Sequence, residues 1–268
     1  MEPSYATGLV WFRRDLRALD HAALYHALTQ CQQVHCVFVF DTDILAPLPR
    51  ADRRVEFIRE SLVELDAHLR ELSDHAQGGL IVLHAAAVDA VPQLAQALGA
   101  NAVFTNHDDE PLALQRDNAV RTQLARNGVA MHTYKDHTVL ERDEVLTQSG
   151  TPYSVFTPYK NAWLRKIDAF YLKSYRIERH AHRLAPRPPE HTRPVPTLGA
   201  IGFEQSTLGQ LKLPTGSRGA QQLFDDFLQR IERYEETRNF PAVKGPSYLS
   251  VHLRFGTISP RLLARTAH

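Results

Sequence analysis

The residues whose types and spacing could do chemistry begin near the N-terminus, in "GLVWFRRDLRALDHAAL". There Gly8-Leu9-Val10-Trp11-Phe12 runs straight into Arg13, Arg14, Asp15 and Arg17. An apolar run bounded by charge reads as a strand of a parallel sheet, buried on both faces, and Asp20 is placed to cap the helix that His21 begins. The charges then sit at the strand's carboxyl end, where open α/β sheets bind ligands. A second cluster, His107-Asp108-Asp109-Glu110, concentrates oxygen and nitrogen donors behind another strand. Adjacent loop residues rarely converge on one point, so no metal is expected there, nor at His180 and His182, which arginines flank. No GxGxxG, P-loop or GxSxG pattern occurs, so neither a dinucleotide fingerprint, a phosphate cradle nor a nucleophile elbow is present.

The elements that must position these residues repeat one unit. Strand-like runs lie at 9–12, 34–40, 80–83, 102–105 and 129–133, separated by segments with helical spacing. In "RVEFIRESLVELDAHLREL" the residues Val55, Phe57, Ile58, Leu62, Leu65, Leu69 and Leu72 recur mostly at three and four, forming one apolar stripe. Strands alternating with such helices predict right-handed crossovers and a five-stranded, doubly wound parallel α/β sheet over residues 1–135. Residues 136–215 read as a connector whose proline-dense part, "RLAPRPPEHTRPVPTLG", is expected to lie over the surface as an unpacked segment. A helical pattern starts near Gly219 and continues through Leu223, Phe224, Phe227, Leu228, Ile231 and Tyr234, opening a second region, 216–268. Ser259-Pro260 starts a last helix, in which Leu262 and Leu263 have no later partner in the sequence.

Bulk composition fits an ordinary globular protein: 268 residues, 43% hydrophobic, 23% charged, formal net charge +1. That charge argues against a generally basic nucleic-acid binder but leaves room for a local basic groove. No apolar run is long enough to span a membrane, and "MEPSYATG" lacks the features of a signal peptide, so a cytoplasmic location is expected. Cys31 and Cys36 are expected to be buried, reduced thiols.

Four blocks carry a family resemblance: "VWFRRDLRALD" at 10–20, "NHDDEPLALQRD" at 106–117, "VFTPYKNAW" at 155–163 and "RYEETRNFPAVKGPSYLSVHLRFGTISPR" at 233–261. Together, in this order, they resemble the DNA photolyase and cryptochrome family, nearest to the bacterial cyclobutane-dimer class. The resemblance implies light-driven repair of cyclobutane pyrimidine dimers, in which reduced FAD, excited directly or through an antenna pigment, lends an electron to a dimer flipped out of DNA. It also implies a Rossmann-like antenna domain followed by an all-α flavin domain that is only begun in this sequence, so the chain by itself is expected to be inactive. A cryptochrome-like light sensor and a non-catalytic antenna-domain remnant remain as alternatives. The parent protein is expected to be a monomer that binds damaged DNA.

The resemblance assigns flavin contacts to Tyr234, Ser247, Tyr248, Leu249 and Ser250, and it assigns no catalytic residue within this segment. Where family members commonly have threonine this chain has Pro246, which removes a hydroxyl and an N–H donor. Leu112-Ala113 stands where folate-type members carry Asn-Glu, so a deazaflavin or flavin antenna is the expectation. Its cleft would be edged by Phe12, Arg13, Asp41, Asp108 and Glu110. The competing reading of the charges after Phe12 is plain ion pairing with neighbouring loops. Lys160 and Arg238 match basic positions that would face DNA phosphates.

Overall fold

A computed structural model describes residues 3–73, 75 and 77–267. Met1, Glu2, Asp74, Ala76 and His268 lie outside it, and with them the first residues of the stretch read as lacking a leader. In chain order the α/β part is β1 (Tyr5–Phe12), α1 (Ala22–Gln30), β2 (Cys31–Asp41), α2 (Thr42–Leu45), α3 (Arg53–Ser73), β3 (Leu80–Ala85), α4 (Ala87–Ala97), β4 (Ala102–Asn106), α5 (Pro111–Arg126) and β5 (Ala130–Tyr134). Then follow α6 (Phe156–Lys166), α7 (Gly216–Leu228), α8 (Tyr234–Thr237), α9 (Ser250–Phe255) and α10 (Pro260–Ala267). Among these described helices none is long and apolar enough to cross a membrane.

All five expected strands form, and they pair in parallel in the order β3-β2-β1-β4-β5. The central strand β1 is therefore covered on both faces, which is why Leu9 to Phe12 read as a continuous apolar run. On one face Val10 and Phe12 pack with α1 and α3 through Leu24, Leu28, Leu62, Leu65 and Leu69. On the other face Leu9 and Trp11 pack with α4 and α5 through Val91, Leu94, Val120 and Leu124. Gly8 is required by close packing between β1 and β2, because a Cβ there would come within 2.5 Å of the Cys31 sulfur. Both cysteines are buried and unbonded, and burial pushes the Cys31 thiol up to about 12.

Several sequence expectations are corrected by the packing. Asp20 is not the helix cap: it adopts a left-handed φ of 50°, and His21 caps α1 instead, its Nδ1 accepting from the Leu24 amide at 3.0 Å. Phe57 leaves the sheet-facing stripe of α3 and packs against His252 and Phe255, with ring centroids 5.3 and 5.4 Å away. The pattern near Gly219 is not one helix, because α7 stops at Leu228 and Ile231 and Tyr234 fall in separate short turns.

The proline-rich stretch is irregular but not unpacked. Leu184 and Val195 within it, and Ile177, Ala181, Ile201 and Phe203 on either side, are buried in the main core, and Leu184 forms a parallel bridge to Val34. Leu262 and Leu263 do find partners, against Ala220, Phe224, Leu249 and Ile258. These corrections share one cause. Apolar residues with no regular period still bury their surface at roughly 25 cal/mol per Å², and tertiary neighbours supply what local spacing does not.

The C-terminal helices sit on the α/β sheet through a buried charge network. Arg17 donates to Asp136 Oδ2 at 2.6 Å, and Arg261 donates to Asp136 Oδ1 at 2.8 Å and to Asp20 Oδ1 at 3.0 Å. Ser259 Oγ, capping α10, donates to Asp20 Oδ2 at 2.6 Å, and Asp20 also accepts from the Tyr175 amide. Backbone contacts flank the network: Leu16 N donates to Phe255 O at 3.0 Å, and Arg17 to Gly256 O at 3.0 Å. Gly256 caps α9 with φ 62°, and a Cβ there would lie 2.2 Å from the Arg14 carbonyl, so only glycine lets α9 approach β1's loop.

Burial alone would raise the pKa of Asp136, but the guanidiniums of Arg17 and Arg261 outweigh it and hold the carboxyl well below the usual carboxylate range. A depressed folded pKa stabilises above the unfolded value near 3.9, and that stability drains away as pH falls below it. Asp136→Asn should therefore cost about 3–5 kcal/mol in urea unfolding at pH 7, because it strands two buried guanidiniums. The deficit should shrink at pH 3; a variant equal to the parent at pH 7 would contradict this account.

Candidate functional site

The carboxyl ends of β1, β2 and β4 bring together the charges that the sequence marked, and they meet one another. Arg13 is nearly buried; its guanidinium donates to Asp117 at 2.6 Å and to the Asn106 carbonyl, and its Cζ lies 4.9 Å from the centroid of the Trp11 ring. Arg116 covers the same ring at 5.4 Å and reaches Asp41 at 3.6 Å. Asp41 Oδ1 also accepts from the amides of Asp43 and Ala87, fixing the starts of α2 and α4. Arg14 pairs with Glu110 at 2.7 Å and approaches Asp108 at 3.5 Å, while Arg254 of α9 pairs with Glu110 from the other side. The Arg254 hydrogen bond, with Arg14 behind it, holds the Glu110 carboxyl below its ordinary range.

Beneath this layer lies a buried polar cluster. Asp15 Oδ2 accepts from Asn106 Nδ2 at 2.7 Å and lies 3.0 Å from His21 Nε2, and Asp15 Oδ1 accepts from the Arg13 amide at 2.6 Å. Asn106 Oδ1 in turn accepts from the Ala23 amide at 3.0 Å. Burial opposes ionisation of Asp15, yet His21 and the Arg13 amide together hold it ionised well below the usual range. The strand-to-helix turn is thus locked by its own side chains.

Of the proposed antenna positions, Phe12 is corrected outright. Its ring is fully buried, lies tilted at 44° against His21 with centroids 4.6 Å apart, and offers no surface to a cleft. Arg13, Asp41 and Asp108 are brought together but are each engaged by protein partners, and only Glu110 presents substantial surface, its side chain 52% exposed. The neighbouring acids are engaged as well: His107 meets Glu141 at 2.6 Å and Asp109 meets Arg142 at 2.9 Å.

The flavin-assigned residues fall on two outer stretches, Tyr234 at the start of α8 and Ser247 to Ser250 leading into α9. Tyr234 and Tyr248 are exposed, Ser250 is the exposed first residue of α9, and Ser247 is half-buried. Leu249 is the anchor, buried against Ala220, Phe224 and Ile258. Arg230 ties the two stretches by donating to the Pro246 carbonyl at 2.9 Å. Tyr248 holds a left-handed φ of 57°, which a side chain seldom adopts. Arg238 stands over the Tyr234 ring at 5.8 Å. Lys160 lies elsewhere, exposed on α6, whose Trp163 packs against the cluster of Val139, Leu140, Ile167 and Leu172.

Sequence reasoning missed two groups. The Asp20, Asp136, Arg17 and Arg261 network carried no local signal, since its members are spread over 245 positions from 17 to 261. Most cations of a cleft beside the connector were visible in the dense run "KSYRIERHAHR", of which only the part holding His180 and His182 was read, for metal binding, while Arg265 lies far along the chain.

Comparison with known proteins bears on this architecture. Residues 8–183 match the model of the DNA photolyase family. The chain is 32% identical over 262 residues to the deoxyribodipyrimidine photo-lyase of Synechococcus sp. (strain ATCC 27144), covering 97% of this chain and 53% of that protein. It is 33% identical over 270 residues to a 31.6 kDa protein encoded in the atpI 5' region of Synechococcus sp. (strain PCC 6716), covering 96% and 88%. An archaeal photolyase from Sulfolobus tokodaii, whose crystal structure is described as holding two FAD molecules, superposes with a TM-score of 0.71 at 26% identity, over 97% of this chain and 54% of that one. The chain thus spans about half the length of the photo-lyases it matches. With a family match over most of its length and the same sheet beneath it, the chain belongs to the DNA photolyase family.

Proposed function

We propose that the fold serves light-driven splitting of cyclobutane pyrimidine dimers in DNA, with residues 1–135 as an antenna-type domain, 136–215 as connector and 216–268 as the beginning of a flavin domain. The observation that carries this reading is the family match over residues 8–183, together with the stretch that sets Ser247, Tyr248 and Ser250 beside the anchor Leu249, while Tyr234 lies edge-on to Phe227 of the same apolar cluster at 5.7 Å.

Tested against flavin nucleotide, that segment fits in part. Tyr234, Tyr248 and Ser250 are exposed, Ser247 is half-buried, and their hydroxyls are unburdened by strong internal bonds, which suits ribityl and phosphate oxygens. It has no apolar wall for a ring system, since Leu249, its one buried side chain, is turned into the core. A bound reduced flavin would supply the electron that opens the dimer. This chain's own residues would grip the polar part of that group and, through Lys160 and Arg238, meet DNA phosphates.

For the antenna, Glu110 and the rim of Arg14 and Arg254 are the residues free enough to meet a pigment, and an anionic flavin or deazaflavin would have to displace Glu110 from its arginines. The dimer-repair reading is preferred to light sensing because relatives named deoxyribodipyrimidine photo-lyase match 97% of this chain at 32% identity, against 28% for a cryptochrome DASH.

The chain alone is proposed to be inactive. After purification, its absorption spectrum should lack stoichiometric FAD, and blue light should leave thymine dimers in an oligonucleotide intact. A yellow protein that repairs them would refute this. Residual DNA affinity should still report the phosphate contacts: Lys160→Glu and Arg238→Glu should each lower the salt dependence of binding, log Kd against log salt, by about 1. An unchanged slope in both variants would remove these residues from the DNA surface.

A further inference from the structure

A cleft of about 1200 Å³ opens where the connector passes between α1 and α10. Its wall follows from the way the connector is anchored. Ile177 and Ala181, four residues apart, are buried in the main core, so Arg176, Arg179 and His180 are left facing outward along a 3-10 turn. α1 contributes Tyr25, whose ring is tilted against Tyr175 at 5.2 Å and edge-on to His180 at 5.9 Å. α10 contributes Arg265, which donates to the Leu172 carbonyl at 2.7 Å and is thereby held against the opposite wall.

The charge in this cleft is unbalanced. Lys173, Arg176, Arg179 and Arg265 line it against Asp168 and Glu178. Among the described residues none of these four cations has a carboxylate within 4.0 Å, whereas Arg13, Arg14 and Arg116 at the strand ends are all matched. Asp168 is already committed, its Oδ1 accepting from the amides of Phe170 and Tyr171. Burial and then the neighbouring cations Arg183, His182 and Arg179 push His180 below its ordinary range, as expected in a positive field. Unpaired cations in a concavity concentrate anions, and guanidiniums match phosphate oxygens in two-pronged geometry. An aromatic ring and the apolar Leu172 and Ala169 in the same cleft provide a flat surface beside the charge.

We propose that this cleft is a binding site for a nucleoside polyphosphate, with the phosphates on Arg176, Arg179 and Arg265 and the base against Tyr25. It shares no residue with the flavin, antenna or DNA positions above, so it stands or falls independently of them.

The test is calorimetric titration of the 268-residue chain with ATP and, separately, with inorganic tripolyphosphate. Arg176 and Arg179 are exposed, so Arg176→Glu/Arg179→Glu should keep the parent's thermal unfolding while weakening ATP binding about tenfold or more. Arg126→Glu, an equal change of charge per site on the exposed side of α5, should leave ATP binding unaltered. ATP should bind more tightly than tripolyphosphate, and Tyr25→Leu should narrow that gap. If Tyr25→Leu unfolds, a comparison of ATP with ribose triphosphate on the parent chain reads the same base contribution. The proposal is overturned if ATP does not bind, if charge reversal leaves its affinity unchanged, if tripolyphosphate binds as tightly as ATP, or if only an oligonucleotide responds to the reversal.

Discussion

The arrangement of this molecule depends on one buried carboxylate. Asp136, fully removed from water just past the last strand, accepts from Arg17 in the loop after β1 and from Arg261 in α10, and the same Arg261 holds Asp20. Three stretches far apart in sequence are fixed at one point, each ion hydrogen-bonded by another. Burying any one of these charges alone would cost several kcal/mol, so the network is stable only as a complete set. It therefore acts as a geometric lock: α10 and the loop after β1 assume their relative positions together or lose the partners that make burial tolerable. Gly256 adds a steric condition to the electrostatic one, because α9 can end against Arg14 and Asp15 only without a side chain.

The same economy of charge explains the strand carboxyl ends. Parallel strands deliver polar residues to one edge, and in this chain those residues neutralise each other. Arg13 and Arg116 lie over Trp11, so two cations, two carboxylates and one indole fill the space at the centre of the edge. The exposed remainder is a rim of Arg14, Glu110 and Arg254, in which α9 meets the loop before α5. The rim joins both parts of the chain, which ties the edge of the sheet mechanically to the segment that carries Ser247 to Ser250. The cleft beside the connector has the opposite character, with cations left unmatched although acids are abundant elsewhere in the sequence.

The fold was legible in the sequence to the extent that it rests on local periodicity. Five apolar runs separated by helices of adequate length fix a parallel sheet, because burial on both faces demands continuous apolar strands and right-handed crossovers demand intervening helices. Gly8 to Phe12 and the heptad-like run through Leu62, Leu65 and Leu69 were unambiguous for that reason. Ser259 likewise announced α10, since a cap is a contact within one turn. The residues of the proposed sites were legible as types and as motif positions, though not in their engagement: nothing near Phe12 says that its ring turns inward to His21.

What the sequence determined by itself is therefore the five strands with the helical segments between them, the parallel sense of their sheet and the family blocks they carry, all of which rest on periodicity and spacing legible over short stretches. Tertiary structure alone decided that Asp20 serves α10 and not α1, that the proline-rich connector is part of the core, and that the charges after β1 answer one another. The physical reason is range. Hydrophobic period and capping act within a turn or two of the chain, whereas a buried charge must find its counter-ion wherever the fold brings one, here up to 241 positions away.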